Sequence, residues 1–175
     1  MKSIFFIILS IFITYGIYSQ SLELNSPDKL LDLTGTWKFN TTDNEEYSHV
    51  EMDDSHWENI SIPGLWRRQN FGNTRTGWYR NQIYIHDFWQ TKSISILSPS
   101  FTDAHEFYFN GIKIGGEGKI SSSGECLVNN SKSKIYSIPE SAIKFNSQNT
   151  ISIRVCNYVG LAGVFGKFQI GKTDK

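Results

Sequence analysis

Apolar and polar residues alternate through most of the chain after residue 30, and this pattern predicts a series of short β-strands. Alternation at a period of two residues is typical of strands that bury one face. Helical periodicity is weak, and only residues 139–143 are expected to form a helical turn. The predicted strands cover residues 33–39, 60–62, 78–85, 93–97, 105–109, 112–115, 135–138, 150–155 and 164–170.

The sharpest local prediction is a β-hairpin around Asn110 and Gly111. These two residues lie between the alternating segments 105–109 and 112–115. Asn-Gly tolerates the positive φ angles of a type I′ turn, whose twist matches that of the flanking strands. Beyond the hairpin, residues 116–134 are rich in Gly, Ser, Asn and Lys, and we expect a long, flexible surface loop there.

Many short strands separated by turn residues indicate an all-β fold, an antiparallel β-sandwich. The sequence shows no internal repeat, no heptad pattern and no linker that would divide it. The 155 residues from 21 to 175 are a typical length for one domain with one hydrophobic core. Residues 21–175 are therefore predicted to form a single domain.

Residues 1–20 have the pattern of a signal peptide. Lys2 supplies a positive start, and an apolar run at 4–13 is interrupted only by Ser10. That run is shorter than the roughly 20 apolar residues of a transmembrane helix, and Ser19 is a candidate cleavage residue. We therefore expect a secreted or periplasmic protein, with a retained signal anchor as the alternative.

Composition narrows the choice of partners. The 175 residues carry 17 acidic and 17 basic side chains, so the formal net charge is zero. No run of Lys and Arg interrupts this balance, so neither nucleic acid nor an anionic membrane surface is expected as a partner. Aromatic residues make up 14% of the chain and include five Trp, each of which needs a core position or a ligand.

The two cysteines, Cys126 and Cys156, leave two states open. Alternation over residues 151–156 places Cys156 on the face opposite the apolar side chains, so we expect its thiol to point outward. Export permits a disulfide, but spacing does not say whether the two Cα atoms come close enough. A Cys126–Cys156 bridge and two free thiols both remain possible.

Six motifs follow one another along the chain: LTGTWKF at 33–39, DDSHW at 53–57 with IPGLW at 62–66, GWYR at 77–80, FNG at 109–111 with IG at 114–115, NTISIRV at 149–155, and GVFG at 163–166. In this order they resemble the sugar-binding domain at the N-terminus of glycoside hydrolase family 2 enzymes. The resemblance spans residues 30–171 and implies a jelly-roll sandwich with a galactose-binding-like fold. The chain is also similar to accessory modules of carbohydrate esterases and bacterial sensors. Because one fold hosts unrelated functions, the resemblance supports the fold better than an activity.

Two departures from that family argue against catalysis by this chain. The family's catalytic carboxylates lie in a separate (β/α)-barrel domain, to which nothing here corresponds. Some members also lend an acidic residue from the loop before the last strand, but residues 157–162 contain none. Asp53 and Asp54 are adjacent, and we expect them to cap a turn before Trp57 rather than to flank a glycosidic bond.

Other catalytic and metal chemistry has little support in the sequence. The four His, at positions 49, 56, 86 and 105, lack metal-ligand spacing, and no Gly-x-Ser-x-Gly elbow occurs. One pair of acidic residues is thin support for a calcium site with six to eight oxygen ligands. No catalytic residue, metal ligand or cofactor is therefore predicted.

The candidate binding segment is the loop over residues 66–78. Sugar recognition combines an aromatic face for the ring with planar polar groups for its hydroxyls, and exposed loops often carry such residues. The alternative is that the two Trp attach the loop to the sandwich while its Arg side chains are solvated. The predicted ligand-binding residues are Trp66, Arg67, Arg68, Asn73, Arg75 and Trp78.

These observations predict an exported, non-catalytic carbohydrate-binding module, with a carbohydrate as its main partner. In one alternative the chain is a detached part of a family 2 glycosidase, and hydrolysis of O-glycosyl bonds belongs to the larger assembly. In the other it is an interaction or sensor module whose partner is a separate glycosidase or a surface protein.

Overall fold

The computed structural model describes residues 22–121, 125–127, 132–158, 160 and 162–173, and these confirm the predicted all-β class. The strands are β1 (Leu22–Leu24), β2 (Leu31–Asp32), β3 (Gly35–Asn40), β4 (Glu58–Ile62), β5 (Gly64–Leu65), β6 (Thr76–Ile85), β7 (Ile94–Leu97), β8 (Ser100–Phe101), β9 (His105–Phe109), β10 (Ile112–Glu117), β11 (Lys119–Ile120), β12 (Cys126–Leu127), β13 (Ile135–Ser137), β14 (Ser147–Cys156), β15 (Gly163–Phe165) and β16 (Gln169–Lys172). Single turns of 3₁₀ helix occupy Glu45–Ser48, Trp66–Gln69, Asp87–Trp89 and Glu140–Ala142. The last of these is the helical turn expected at 139–143. The predicted signal peptide at 1–20 lies outside the described residues.

Two layers of sheet form the sandwich. The larger sheet has the strand order β10-β9-β14-β6-β3-β4, and β1 adds to β6 in parallel. The opposite layer contains the antiparallel sheet β13-β7-β16-β2 and a short sheet, β5-β15-β8. Within the described residues, no helix is long and apolar enough to cross a membrane.

The predicted hairpin is present, and its turn has the expected conformation. Asn110 and Gly111 have φ angles of 47° and 82°, and Ile112 pairs with Phe109 across the turn. The Asn110 side chain accepts a hydrogen bond from the Thr150 amide at 2.8 Å and donates one to the Ala142 carbonyl at 2.8 Å. This Asn therefore fixes the hairpin to its neighbours as well as making the turn.

The core between the layers is strongly aromatic. Phe107 on β9 lies 5.3 Å from Tyr136 and 6.0 Å from Phe168, measured between ring centroids, and so joins the two layers. Trp37 stacks on Phe168 at 5.2 Å. Alternation along β3 and β9 sends Trp37 and Phe107 inward, as the sequence pattern predicted.

The outer face of the larger sheet is also covered, which the sequence pattern did not indicate. Residues 41–57 fold across it and bury Arg80 completely. The Arg80 guanidinium pairs with Asp54 at 2.9 Å and donates to the carbonyls of Tyr47 and His49 at 2.6 and 2.9 Å. One buried cation thus ties the 41–57 segment to the sheet.

The Cys126–Cys156 bridge that the sequence left open is present, whereas two other expectations, an outward Cys156 thiol and a flexible loop at 116–134, are corrected. Cys156 does lie on the face opposite Val155, yet it is fully buried and bonded to Cys126, with the two Cα atoms 6.1 Å apart. The segment 116–134 is not simply a flexible loop, because its residues in β11 and β12 pair with each other. The disulfide attaches this small hairpin to the end of β14.

Candidate functional site

Several loops meet at one end of the sandwich, which we call the loop end. Strand pairing places them there: Asn40 lies opposite Trp78, Val155 opposite His105, and Cys156 opposite Thr76. The end of β3, the starts of β6 and β9, and the end of β14 therefore share one edge. The loop end is formed by the described residues of segments 41–57, 66–75, 102–104 and 157–162.

A groove opens at the loop end between the predicted binding segment and the start of β4. It consists of two adjoining clefts of about 480 and 190 Å³. Ligand clefts in proteins commonly reach several hundred Å³, so this groove could accept one or two sugar rings. Thr41, Glu58 and Phe71 line both clefts. The other lining residues include His56, Trp57, Asn70, Asn73 and Thr74.

The binding segment is a compact loop rather than an open one. Its first turn ends at Asn70, whose φ angle of 69° is left-handed. The amide of Phe71 donates to the Trp66 carbonyl at 3.0 Å, and Gln69 bonds both the amide and the carbonyl of Ser61. These bonds fix the loop against β4.

The two tryptophans predicted as ligand residues are buried. Trp66 is 1% exposed, packs edge-on against Phe39 and donates its indole N–H to the Tyr79 hydroxyl. Trp78 has no exposed surface and donates to Asp43 at 3.0 Å. Neither indole presents a face to a ligand. Their surroundings support the alternative interpretation, in which both attach the loop to the sandwich.

Arg154 completes the layer around Trp78. Its guanidinium lies 6.0 Å from the Trp78 ring and bonds Asp43 through two nitrogens, at 2.6 and 2.8 Å. Burial lowers the pKa of Arg154, but the Asp43 bonds outweigh it and the net shift is upward. Glu106 is 3.3 Å from the same guanidinium. Burial raises the pKa of Glu106, and the Lys113 hydrogen bond reverses this to a net lowering.

Asp53 and Asp54 have different structural roles. Asp53 accepts the Ser55 amide at 2.9 Å and so caps the turn before Trp57, as predicted. That backbone hydrogen bond is the main reason why the pKa of Asp53 is lowered. Asp54 instead neutralises Arg80. Neither carboxylate is placed to flank a ligand bond together with the other.

The remaining predicted residues are exposed at the loop end. Arg67, Arg68, Asn73 and Arg75 all face solvent, and Asn73 lines the groove. None of the three Arg side chains makes an ion pair or hydrogen bond with another described residue. The structure thus brings four of the six predicted ligand residues to an accessible surface.

Sequence reasoning missed one aromatic residue, Tyr158, which follows β14 at the loop end. Its side chain is 63% exposed, and its amide donates to Asp103 at 3.1 Å. The preceding Asn157 amide donates to the Arg75 carbonyl at 2.6 Å, so Tyr158 is held beside the binding segment. The sequence signal that could have identified Tyr158 was a single aromatic residue in the loop between two strands, close to Gly160.

Two polar residues, Asp103 and His105, are buried near the backbone of Tyr158. Asp103 is fully buried, and its second carboxylate oxygen has no hydrogen-bond partner among the described residues. His105 stacks on Phe101 at 4.2 Å and contacts the Tyr136 hydroxyl at 3.2 Å. Burial lowers the pKa of His105 to about 4.

His105 should make the domain sensitive to acid. Because its pKa falls from 6.5 to about 4 on folding, the unfolded chain takes up the proton first as the pH drops. The stability that depends on neutral His105 is complete above pH 6.5 and is lost towards pH 4, by up to about 3 kcal/mol. Urea unfolding at pH 7, 5 and 4 measures this. His105→Gln should flatten the decline, whereas the exposed His56→Gln should not; equal slopes for both variants would contradict the prediction.

The charged groups at the loop end give little basis for metal binding. Among the described residues there is no group of three or more His, Cys, Asp or Glu side chains that could hold a metal ion. Asp43 and Asp54, two acidic residues of the loop end, are already paired with arginines. What the arrangement offers a ligand is an exposed aromatic ring, guanidinium groups and side-chain amides.

No protein-family model matches this chain, and no curated protein matches it either. Solved structures do share its fold. A β-glucuronidase from Bacteroides uniformis has a TM-score of 0.65 at 19% identity, over 81% of this chain and 17% of that chain. A glycosyl hydrolase family 2 member from Bacteroides cellulosilyticus has a TM-score of 0.65 at 21% identity, over 83% of this chain and 21% of that chain.

A β-glucuronidase from Ruminococcus gnavus is also similar, with a TM-score of 0.63 at 15% identity over 82% of this chain and 29% of that chain. These likenesses confirm, at the level of the fold, the resemblance to the family 2 sugar-binding domain drawn from the motifs. The chain spans 17–29% of the length of these structures. Their activities belong to much longer proteins.

Proposed function

We propose that this protein is an exported, non-catalytic module that recognises a carbohydrate at the loop end. The observation that carries the proposal is Tyr158, an aromatic ring that is 63% exposed at the loop end, where a groove lined with amide and hydroxyl groups also opens. Apolar C–H faces of sugars pack on such rings, and the amides of Asn70 and Asn73 suit their hydroxyls. Similarity in fold to glycoside hydrolases supports a carbohydrate ligand.

Asp103 is a positioning residue in this proposal. Its carboxylate holds the Tyr158 amide at 3.1 Å from within the core, while Asn157 donates its side-chain amide to the Thr74 carbonyl at 2.9 Å. The loop after β14 is therefore fixed to both neighbouring loops. A ring that is held in place loses less conformational entropy on binding than a mobile one.

Binding without turnover is expected, because Glu58 is the one carboxylate among the described residues that line the groove. On the neighbouring segment, Asp53 caps a turn, and Asp43 and Asp54 pair with buried arginines. In most glycoside hydrolases, cleavage of the glycosidic bond needs two carboxyl groups about 5–9.5 Å apart across the bond. A glycan array combined with a hydrolysis assay on the bound glycans tests this part of the proposal.

Tyr158→Ala should weaken binding to the best array ligand about tenfold, or about 1.4 kcal/mol, because stacking on the ring is lost. The change should leave the unfolding midpoint nearly unaltered, since surface substitutions usually change stability by less than 0.5 kcal/mol. Isothermal titration calorimetry measures the affinity, and Tyr158→Phe should retain most of it.

Phe88→Ala is the matched control, because Phe88 is a partly exposed aromatic residue after the opposite end of β6. It should bind the array ligand like the unchanged protein. Unaltered binding by Tyr158→Ala would remove the proposed site from the loop end. If the unchanged protein bound none of the neutral or charged glycans on the array, carbohydrate recognition itself would be contradicted.

A second candidate function is a part of a larger glycosidase assembly. This candidate is favoured because the chain aligns with only 17–29% of the length of each similar glycoside hydrolase structure. In this case the chain alone would not hydrolyse glycosides, but would raise the activity of a family 2 barrel expressed with it. Co-expression with a barrel-encoding neighbouring reading frame, followed by an activity assay, separates this candidate from an independent module.

A contact with a protein partner is favoured by a different surface. A cleft of about 460 Å³ lies on the outside of the sheet that contains β7, β13 and β16. Leu30 and Ile135 line it and are 52% and 65% exposed. If this candidate were right, Ile135→Asp would abolish partner capture while leaving glycan binding intact.

A further inference from the structure

The five arginines of this protein fall into two groups. Arg80 and Arg154 are buried, and each is surrounded by carboxylate and carbonyl oxygens. Arg67, Arg68 and Arg75 are exposed, lie within nine residues of one another at the loop end, and make no ion pair or hydrogen bond with any other described residue. Only the second group has its hydrogen-bond donors available to a ligand.

Charge is separated locally even though the whole chain is neutral. Residues 66–78 contain three Arg and no acidic residue, whereas residues 43–58 contain seven acidic residues and no Lys or Arg. Three of those acids form ion pairs with the buried arginines: Asp43 and Glu45 with Arg154, and Asp54 with Arg80. The arginines of the binding segment are left without a neutralising partner of their own.

From this we infer that the ligand is an anionic carbohydrate, whose carboxylate or sulfate groups pair with Arg67, Arg68 and Arg75. This inference rests on the proposed function, since the charged groups belong to the polymer that packs on Tyr158. A guanidinium presents its donors in a planar fork that matches two oxygens of a carboxylate or sulfate. Three such groups on one loop select a polymer with repeated negative charges over a neutral one.

The backbone that carries these arginines is held firmly. Arg67 and Arg68 lie on the 3₁₀ turn whose last residue, Gln69, bonds the Ser61 backbone at 2.7 and 3.0 Å. Gly72 packs against Arg67, because a Cβ atom placed there would come within 3.3 Å of the Arg67 Cβ. Arg75 is fixed through its carbonyl to Asn157. Positively charged side chains on a fixed loop pay less entropy to bind than the same side chains on a mobile loop.

Acidic groups nearby limit where the anions can bind. Glu58 lines the groove next to Asn70 and Asn73, and Glu46, Glu51 and Asp53 are exposed on the neighbouring segment. Like charges repel, so anionic groups are expected on the arginine side of the loop and neutral hydroxyls in the groove. This division predicts a polymer that carries both hydroxyl and anionic groups.

The test compares binding of the purified protein to a sulfated glucan, a polyuronate and a neutral glucan of similar length, by affinity electrophoresis at low and high salt. At least one anionic polymer should bind tenfold or more tightly than the neutral glucan, and salt should weaken that binding because it screens exposed charges. The two anionic arms identify whether sulfate or carboxylate is preferred.

Variants then locate the charge. Arg67→Gln, Arg68→Gln and Arg75→Gln combined should reduce binding of the anionic polymer at least tenfold without lowering the unfolding midpoint. The corresponding Lys variants should fall between, since Lys keeps the charge but loses the planar fork. The control removes equal charge from surfaces remote from the loop end, through Lys29→Gln, Lys144→Gln and Lys172→Gln, and should bind normally.

The outcomes separate the two proposals. Equal binding of neutral and anionic polymers, unaffected by the Arg variants, would overturn this inference and leave carbohydrate recognition standing. A loss of binding in the Lys control as large as in the Arg variant would also overturn it, because attraction would then be non-specific. No binding to any of the three polymers would contradict the proposed function and this inference together.

Discussion

Replacing Arg80 by Met is expected to destabilise the domain by about 3–5 kcal/mol, because the substitution removes one partner of a buried ion pair. Asp54 would lose its counter-charge at 2.9 Å, and the Tyr47 and His49 carbonyls would lose the donor that holds them to the sheet. Equilibrium unfolding in urea, followed by tryptophan fluorescence, measures the change. Arg67→Met is the matched control, and its effect should stay below about 0.5 kcal/mol because Arg67 is exposed.

A double variant distinguishes a lost ion pair from lost packing. Arg80→Met combined with Asp54→Leu should be less destabilised than the sum of the two single variants, because neither charge is then left unpaired. Additive effects would show that Arg80 contributes mainly through its contacts, including the one 5.8 Å from the Trp57 ring. A cost below about 1 kcal/mol for Arg80→Met alone would contradict a central role for this cation.

Trp66→Ala is expected to cost about 3–5 kcal/mol as well, through a cavity in the aromatic core. The Trp66 ring packs against Phe39 at 5.2 Å and against Tyr79 at 6.3 Å, and its N–H is bonded to the Tyr79 hydroxyl. Burial raises the pKa of Tyr79 well above its ordinary value, so this hydroxyl remains protonated and available as a partner. Thermal and urea unfolding both measure the loss.

Trp66→Phe is the informative control because it keeps an aromatic ring and removes the indole N–H. It should lie between the unchanged protein and Trp66→Ala in stability. Glycan binding by either variant should persist under conditions where the variant is folded, since the indole has no exposed face. A stable Trp66→Ala variant that fails to bind would instead restore Trp66 as a ligand residue.

The comparison of prediction and structure is clearest in β6 and β14. Alternation correctly placed Tyr79, Ile83 and Ile85 on one face, and that face lies in the core. The opposite face carries Trp78, Arg80, Ser152 and Arg154, and alternation by itself did not indicate that another segment covers it. It is buried, because residues 41–57 cross it and supply the carboxylates and carbonyls that its arginines require.

The candidate site was predicted in part. Arg67, Arg68, Asn73 and Arg75 are accessible, as a polar loop between strands suggested. Trp66 and Trp78 were predicted as ligand residues but lie in the interior. The sequence pattern could not show this, because an aromatic residue next to a loop can pack inward or outward. Tyr158 was not singled out, since Asp103, which accepts its amide, is 55 residues away, and Arg75, which accepts the amide of the preceding Asn157, is also distant in sequence.

The sequence by itself determined the β-strands, the Asn110–Gly111 turn and the sandwich class, because alternation and turn chemistry are local properties of the chain. Tertiary structure decided which faces are covered: the burial of Arg80, the pairing of Cys156 with Cys126, and the exposure of Tyr158. The reason is that alternation assigns a side chain to one face of a strand, whereas coverage of that face depends on segments that are distant in sequence.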